Sequence, residues 1–427
     1  MFDVLIIGGG AAGFYSAIHI AEGAPHLKVA ILERGKDVLG KVKVSGGGRC
    51  NVTHAEFIPN ELAKNYPRGE KELLGPFHTY CSGDTVAFFE RKGIELKIEE
   101  DGRMFPVTNS SQTIIDCFLN ETKKLGVSVL KHSAVTDISY KNEADSSEGW
   151  RVTSIKKTYF TKKIVVATGS NPKIWKLMEK LGHTIEPPVP SLFTFNIDDE
   201  RIKRIPGVST QARVEILAKS LVNTKITVKL QSQKKQQSIL EAEGPLLVTH
   251  WGMSGPAILK LSAWGAKYLN ERGYVFKIRV NWLPDLVEGA VWNYMLDVRE
   301  AEAKKTILRT KAVDVPRRLW TNLVRASGID ETTKWAEVTK VQLQELVRQL
   351  TQGEFYVNGK STFKEEFVTA GGINLKEVNF KTYESKKHSN LYFAGEVLNI
   401  DAITGGFNFQ NAWTGGYIVS QAIINQS

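Results

Sequence analysis

Residues 2–33, FDVLIIGGGAAGFYSAIHIAEGAPHLKVAILE, decide the fold. An apolar run, 3–7, ends in three glycines. A helical pattern follows from 11 to about 21, and a second apolar run, 28–33, closes the stretch. Buried parallel strands are apolar throughout rather than alternating, so the order strand, glycine turn, helix, strand reads as a βαβ unit. Gly8, Gly10 and Gly13 form G-x-G-x-x-G within it. The first glycine makes the tight turn, the second lets a pyrophosphate approach the backbone, and the third lets helix press on strand. The anion then meets free N–H groups at the helix N-terminus. The pattern carries weight only after a strand and before a helix, which is its setting here. Glu33 ends the second strand, 25 residues past Gly8. That is near the roughly 20 expected of a carboxylate accepting from ribose hydroxyls; the competing reading is a surface glutamate. Arg34 is open between an adenine or phosphate contact and a solvated side chain.

Composition bounds the rest. The chain has 427 residues, 42% hydrophobic and 24% charged, which predicts two to four globular domains and excludes a disordered chain. Three cysteines, Cys50, Cys81 and Cys117, include no C-x-x-C pair. A disulfide framework or a cysteine zinc site is therefore not expected, nor any other metal, and the count fits a reducing compartment. The net charge of +10 admits nucleic acid, a membrane surface or an anionic ligand. With no long block of like charge, a solvated basic surface is the simpler reading. No apolar run reaches about 18 residues, so no membrane span is expected. The opening run is too short for a signal peptide, and the expected location is the cytoplasm.

Further along, 134–167 has a period of two and predicts strands, with a hairpin loop over 141–149. A helix is predicted over 173–182, and the proline-rich 186–191 reads as an exit from the first domain. Strand patterns fill 191–250, including a hairpin tip at SQKK, 232–235. Charged helical patterns fill 285–352. Strands resume near 354, and a helix is expected over 411–424. The middle therefore reads as inserted into a domain built from both chain ends.

Three more stretches carry chemistry. KVKVSGGGRCNVTH, 41–54, sets Gly46 and Gly47 beside Arg49 and Asn51, a loop able to press its backbone on a flat or anionic ligand. Cys50 is either a redox partner or a packed small hydrophobe. IVVATGS, 164–170, ends a strand at Ala167, Thr168 and Gly169, where a strand returns to the dinucleotide. LYFAGEVLNIDAITGGFNFQNAWTGG, 391–416, holds Gly395, Glu396, Asp401, Gly405, Gly406, Phe407 and Asn408 ahead of the final helix. Asp401 is read as an acceptor for hydroxyls of a polyol chain or as a capping residue. Ala11, Ala12, Lys41 and Val135 complete the candidate ligand contacts. A ligand touching both ends of the chain must be long, and FAD fits. Its adenosine end would lie at the first turn and its ribityl-flavin end at the C-terminal loop.

These residues carry a family resemblance. GGGAAG, the terminal glutamate, SGGGRCN, ATG, THWGMSGPAIL (249–259), VTAGGI (368–373), TYESK (382–386) and AGEVLNIDAITGGFN run in one order. The chain thereby resembles the BaiN/RdsA-type NAD(P)/FAD-dependent oxidoreductases, a branch of the glutathione-reductase-like flavoproteins. The resemblance spans nearly the whole chain. It implies an α/β fold with a Rossmann-like FAD-binding domain from 1–190 and 354–427, a β-rich, barrel-like insert over 191–284 and a helical insert over 285–353. The chain departs from the family after ATG, where a longer glycine-rich turn is usual, and at Asn399 and Ala402, where aspartate and glycine are commoner.

A flavin performs electron chemistry, while the protein orients and tunes it. With no second G-x-G-x-x-G, NAD(P)H is expected as a transient reductant in the cleft between FAD domain and insert. His250 is the candidate proton donor, because histidine titrates in the working range. Arg103 is either an anion site or a surface ion pair. The expected function is an FAD-dependent oxidoreductase acting on a small hydrophobic or polycyclic substrate. The alternatives are an FAD-dependent tRNA-modifying enzyme and a flavin-holding module without turnover. The lysine clusters at 156–163, 225–235 and 376–387 are not interleaved with aromatics as in RNA-recognition motifs, which leaves nucleic acid second.

Overall fold

The computed structural model describes residues 1–141, 149–217, 238–310, 312–362 and 368–427. The chain divides into two units, Met1–Val189 with Lys364–Ser427, and Pro190–Phe363. The expected 141–149 hairpin loop lies almost wholly outside the described residues. So do the SQKK tip, the strand pattern around 224–231 and the 225–235 lysine cluster.

In the first unit, strand Phe2–Ile7 lies between Val29–Leu32 and Thr158–Val166, parallel to both. Ser128–Leu130 extends the sheet beyond Val29–Leu32. On the other side Leu391–Phe393 pairs in parallel with Thr158–Val166, so the two chain ends meet in one sheet. Val4, Leu5 and Ile6 are wholly buried, as a strand covered on both faces requires. Gly149–Ser154 pairs with Thr158–Val166, and Val135–Lys141 pairs with Gly149–Ser154, both antiparallel. Helices Ala11–Gly23 and Phe407–Ile424 pack closely because Gly416 sits on the first turn of the former. A Cβ on Gly416 would lie 3.1 Å from the Ala12 carbonyl oxygen. The final helix thus starts four residues earlier than its sequence pattern suggested. The proline-rich 186–191 is part of a strand, Ile185–Ser191, which pairs with Val368–Ile373. Proline is tolerated there because a two-stranded ribbon leaves an edge free.

In the second unit, six strands among the described residues close into a barrel. They run in the order Thr194–Asn196, Gly252–Ser254, Ser238–Val248, Ser209–Leu217, Val275–Asn281 and Gly353–Ser361. The sequence reading returned the chain to the first domain at 354. In the structure Gly353–Ser361 pairs with Val275–Asn281 and Thr194–Asn196, closing the barrel, and the boundary falls at Phe363. Nor do barrel and helices form separate cores. Val214, Ile278 and Val357 of the strands share one apolar cluster with Leu319, Leu323, Leu346 and Leu350 of helices Arg317–Ala326 and Lys340–Thr351. No helix of the described residues is long and apolar enough to cross a membrane.

Candidate functional site

The first glycine turn separates its glycines by role. Gly8 holds φ +114°, and a Cβ there would lie 2.4 Å from the Ala167 carbonyl oxygen. A Cβ on Gly13 would lie 2.0 Å from the Gly8 carbonyl oxygen. Both serve close packing of backbone on backbone. Gly10 is different, because a Cβ there meets nothing within 4 Å. It caps helix Ala11–Gly23, and no side chain closes the first turn. Helical N–H groups, flanked by Ala11 and Ala12, therefore face room that an anion can enter.

Glu33 is fixed across the mouth of this turn. Its carboxylate accepts from the Gly9 N–H at 2.9 Å and from the Gly35 N–H at 2.7 Å. His132 and Ser133 donate to the Gly35 and Glu33 carbonyls. This brings Val135, partly buried two residues on, to the same end. Arg34 is exposed. Ala167 donates to the Ile7 carbonyl at 2.8 Å, which carries Thr168 and Gly169 over the turn. Glu396 approaches from the C-terminal segment. It pairs with Lys41 and lies 3.6 Å from where a Gly169 Cβ would sit. Gly395 lies beside Ala12, with its would-be Cβ 3.3 Å away.

Loop 45–54 builds the other end. Gly46 and Gly47 hold φ +58° and +69°, and a Cβ on Gly46 would meet the Phe105 ring at 2.7 Å. Arg49 lies over that ring at 4.0 Å and donates to Glu99 at 2.5 Å. Arg103 pairs with Asp101 at 2.7 Å and Glu99 at 3.2 Å, so of its two readings the geometry gives the ion pair. Cys50 has no exposed surface, and burial pushes its thiol up to about 12. A neutral, enclosed thiol is not an exchange partner; Cys50 packs. With its amide turned to satisfy both ends, Asn51 donates to the Thr53 carbonyl at 3.1 Å. It also accepts from the Gly406 N–H at 2.9 Å. A Cβ on Gly406 would lie 2.5 Å from that carbonyl. Gly406 begins helix Phe407–Ile424, again with no side-chain cap. Asn408 closes the preceding loop through two hydrogen bonds with Ala402, 3.0 and 3.2 Å.

Asp401 departs from its expected role. It is wholly buried, and both its carboxylate oxygens accept from the Arg68 guanidinium. The charge that was read as meeting polyol hydroxyls is spent on an arginine that no motif marked. A second residue escaped the sequence reading. His54 stacks on Phe407, with ring centroids 4.5 Å apart and planes at 20°. Its Nε2 lies 3.1 Å from the Asp101 carbonyl oxygen, so that nitrogen donates. Nδ1 then carries the lone pair, buried and without a partner. Burial holds the imidazole below its ordinary range and keeps it neutral near pH 7. The only sequence signal for His54 was its place at the end of the glycine-loop motif. His250 lies in the second unit, exposed at the turn between Ser238–Val248 and Gly252–Ser254, its ring 6.1 Å from that of Trp251.

The donor set fits an elongated dinucleotide. It offers an open glycine, two helix starts without side-chain caps, and a buried imidazole nitrogen awaiting a donor. This geometry defines a Rossmann-type FAD-dependent oxidoreductase. The chain belongs to the family described as HI0933-like protein Rossmann domain, whose model matches residues 2–422. The ribosomal RNA dihydrouridine synthases of Haemophilus influenzae and Escherichia coli are each 28% identical to it, over 99% of this chain and 98% of theirs. The 3-dehydro-bile acid delta(4,6)-reductase of Clostridium scindens is 26% identical over 98% of both. The crystal structure of 3-ketosteroid delta1-dehydrogenase from Sterolibacterium denitrificans, in complex with 1,4-androstadiene-3,17-dione, matches over 100% of both chains. Its TM-score is 0.50 at 11% identity, a likeness of fold.

Proposed function

We propose that this flavoprotein reduces a carbon–carbon double bond conjugated to a carbonyl in a small hydrophobic or polycyclic molecule, with NAD(P)H as a transient reductant. The carrying observation is the two-ended cradle. The open Gly10 turn offers ligand room and uncapped helix amides, and at the C-terminal loop the buried His54 Nδ1, beside Gly405, offers an acceptor without a partner. The name of the Clostridium scindens relative states a reduction of this kind. Bound FAD supplies the electron transfer. The protein holds it by the helix amides behind Gly10 and by Glu33 at the ribose. Lys41 and Glu396 hold the middle, and the 46–51 and 405–408 loops hold the far end. The His54 Nδ1, buried and without a partner, would accept a hydrogen bond there. Saturating a double bond also consumes a proton. His250, exposed in the second unit, is the proposed donor.

A second reading is RNA modification, in which a uridine takes the place of the small molecule. The net charge of +10 and the names of the two bacterial relatives favour it. The test is flavin reduction by NADH and by NADPH, followed by mixing of the reduced enzyme with candidate oxidants. Reoxidation by an unsaturated 3-ketosteroid, slowed in His250→Ala with FAD retained, supports the first reading. Reoxidation only by RNA, with binding that collapses as salt rises, supports the second. A flavin that neither nucleotide reduces overturns the proposed reductant.

A further inference from the structure

We propose that Arg68 is a positioning residue for the flavin end of the cofactor, acting through Asp401. The proposal rests on the FAD reading. Asp401 has no exposed surface, and the Arg68 side chain is 13% exposed. Their backbones form an isolated antiparallel bridge, and their side chains meet as fork to carboxylate. A buried carboxylate stays ionised only where a partner compensates it. The planar guanidinium does so with two parallel hydrogen bonds that an ammonium cannot reproduce.

The pair belongs to a longer grip. The Ile403 N–H donates to the Asn65 carbonyl at 3.0 Å. The Ile400 side chain lies 2.8 Å from where a Cβ on Gly69 would sit, and Gly69 holds φ +97°. The Tyr66 hydroxyl donates to the Phe407 carbonyl at 2.5 Å. Segment 65–69 thus holds 400–407 at four points, and only the Arg68 contact is ionic. The gripped loop is the one that ends in Gly405 and Gly406 against Thr53, Asn51 and His54. Its shape sets where the helix start meets the ligand. Residues 65–69 carry no cofactor motif, so their part in the site is visible through these contacts and not in the sequence.

The experiment compares apoprotein of the wild type, Arg68→Lys, Arg68→Met and the double variant Arg68→Met with Asp401→Asn. Each is titrated with FAD while the visible band of the bound flavin is recorded. Arg68→Met is expected to weaken FAD binding about tenfold or more and to alter the fine structure of the band. Arg68→Lys recovers part of the affinity, and the double variant recovers part by removing the uncompensated charge. Wild-type affinity and band shape in Arg68→Met overturn the proposal, even if its melting temperature falls, because a merely structural role predicts that result. Should Arg68→Met fail to fold, Arg68→Lys decides, and identity with wild type in both readouts overturns it. If the wild type itself takes up no FAD, the cofactor reading falls and this proposal with it. If the wild type binds and Arg68→Met binds equally, this proposal falls alone.

Discussion

At the residue scale, the three motif glycines separate by role, Gly10 open to a ligand and Gly8 and Gly13 packed on backbone. Gly10→Val adds a side chain into empty space. The apoprotein should melt as wild type, while FAD affinity falls by about tenfold or more, about 1.4 kcal/mol per decade. Gly13→Val drives a Cβ into the Gly8 carbonyl. It should cost the apoprotein about 3 kcal/mol or more through overpacking, visible as a lowered melting temperature before any cofactor is added. Equal apoprotein melting in the two variants would remove the distinction. Glu33→Ala should also lower flavin occupancy; full occupancy would take the adenosine end away from that carboxylate. Cys50 gives a negative control. Being buried and neutral, it should resist thiol reagents in the native protein, and Cys50→Ala should still purify yellow.

At the scale of elements, the interesting groups are histidines packed where helices and strands meet. His19, on helix Ala11–Gly23, lies among the rings of Tyr15, Phe88 and Tyr417, with centroids 4.7, 5.0 and 5.2 Å away. Burial, helped by Lys92 and Arg91, lowers it to about 3. His183 is enclosed between Glu377 at 3.0 Å and Ser385 at 3.1 Å. The Ser385 hydroxyl oxygen already accepts from the Lys387 and His388 N–H groups. Its own proton therefore goes to the His183 Nε2, leaving the Nδ1–H for Glu377. Burial lowers His183 although Glu377 pulls the other way. Glu377 itself is drawn down to about 2, since Lys387 and Thr184 outweigh its burial. The pair does not shift as an ordinary salt bridge, because desolvation of the enclosed ring wins. For both histidines the unfolded chain binds a proton that the folded one refuses. Their contribution is present above about pH 6.5, the ordinary histidine value, and is lost as pH falls toward the lowered values. The melting temperature should drop between pH 7 and pH 5, and His19→Leu should flatten that slope. An unchanged slope would show that His19 is not the group responsible.

At the scale of the molecule, the second unit carries its own apolar core. Its first and last barrel strands, Thr194–Asn196 and Gly353–Ser361, are paired, so its ends lie side by side. A segment built this way is expected to fold alone. Residues 190–363 expressed by themselves should melt cooperatively and purify colourless, and a molten fragment would refute that independence. The first unit needs both chain ends, since Leu391–Phe393 joins a sheet whose centre is Phe2–Ile7. FAD should raise its melting temperature in proportion to the logarithm of free FAD.

The sequence alone determined the βαβ turn, the glycine loops, the glutamate at the strand end and the two-ended origin of one domain. Each of these rests on local backbone sterics or on the period of apolar residues, which neighbours in the chain fix. The barrel's closing strand was misplaced by the same logic, because a strand pattern does not name its partner. Only the tertiary structure paired Lys41 with Glu396, 355 residues apart, and Arg68 with Asp401, 333 apart. It alone sealed Cys50 away and laid His54 on Phe407. Those outcomes depend on which distant surfaces the topology brings together, and burial then decides whether a charge or a thiol is available for chemistry.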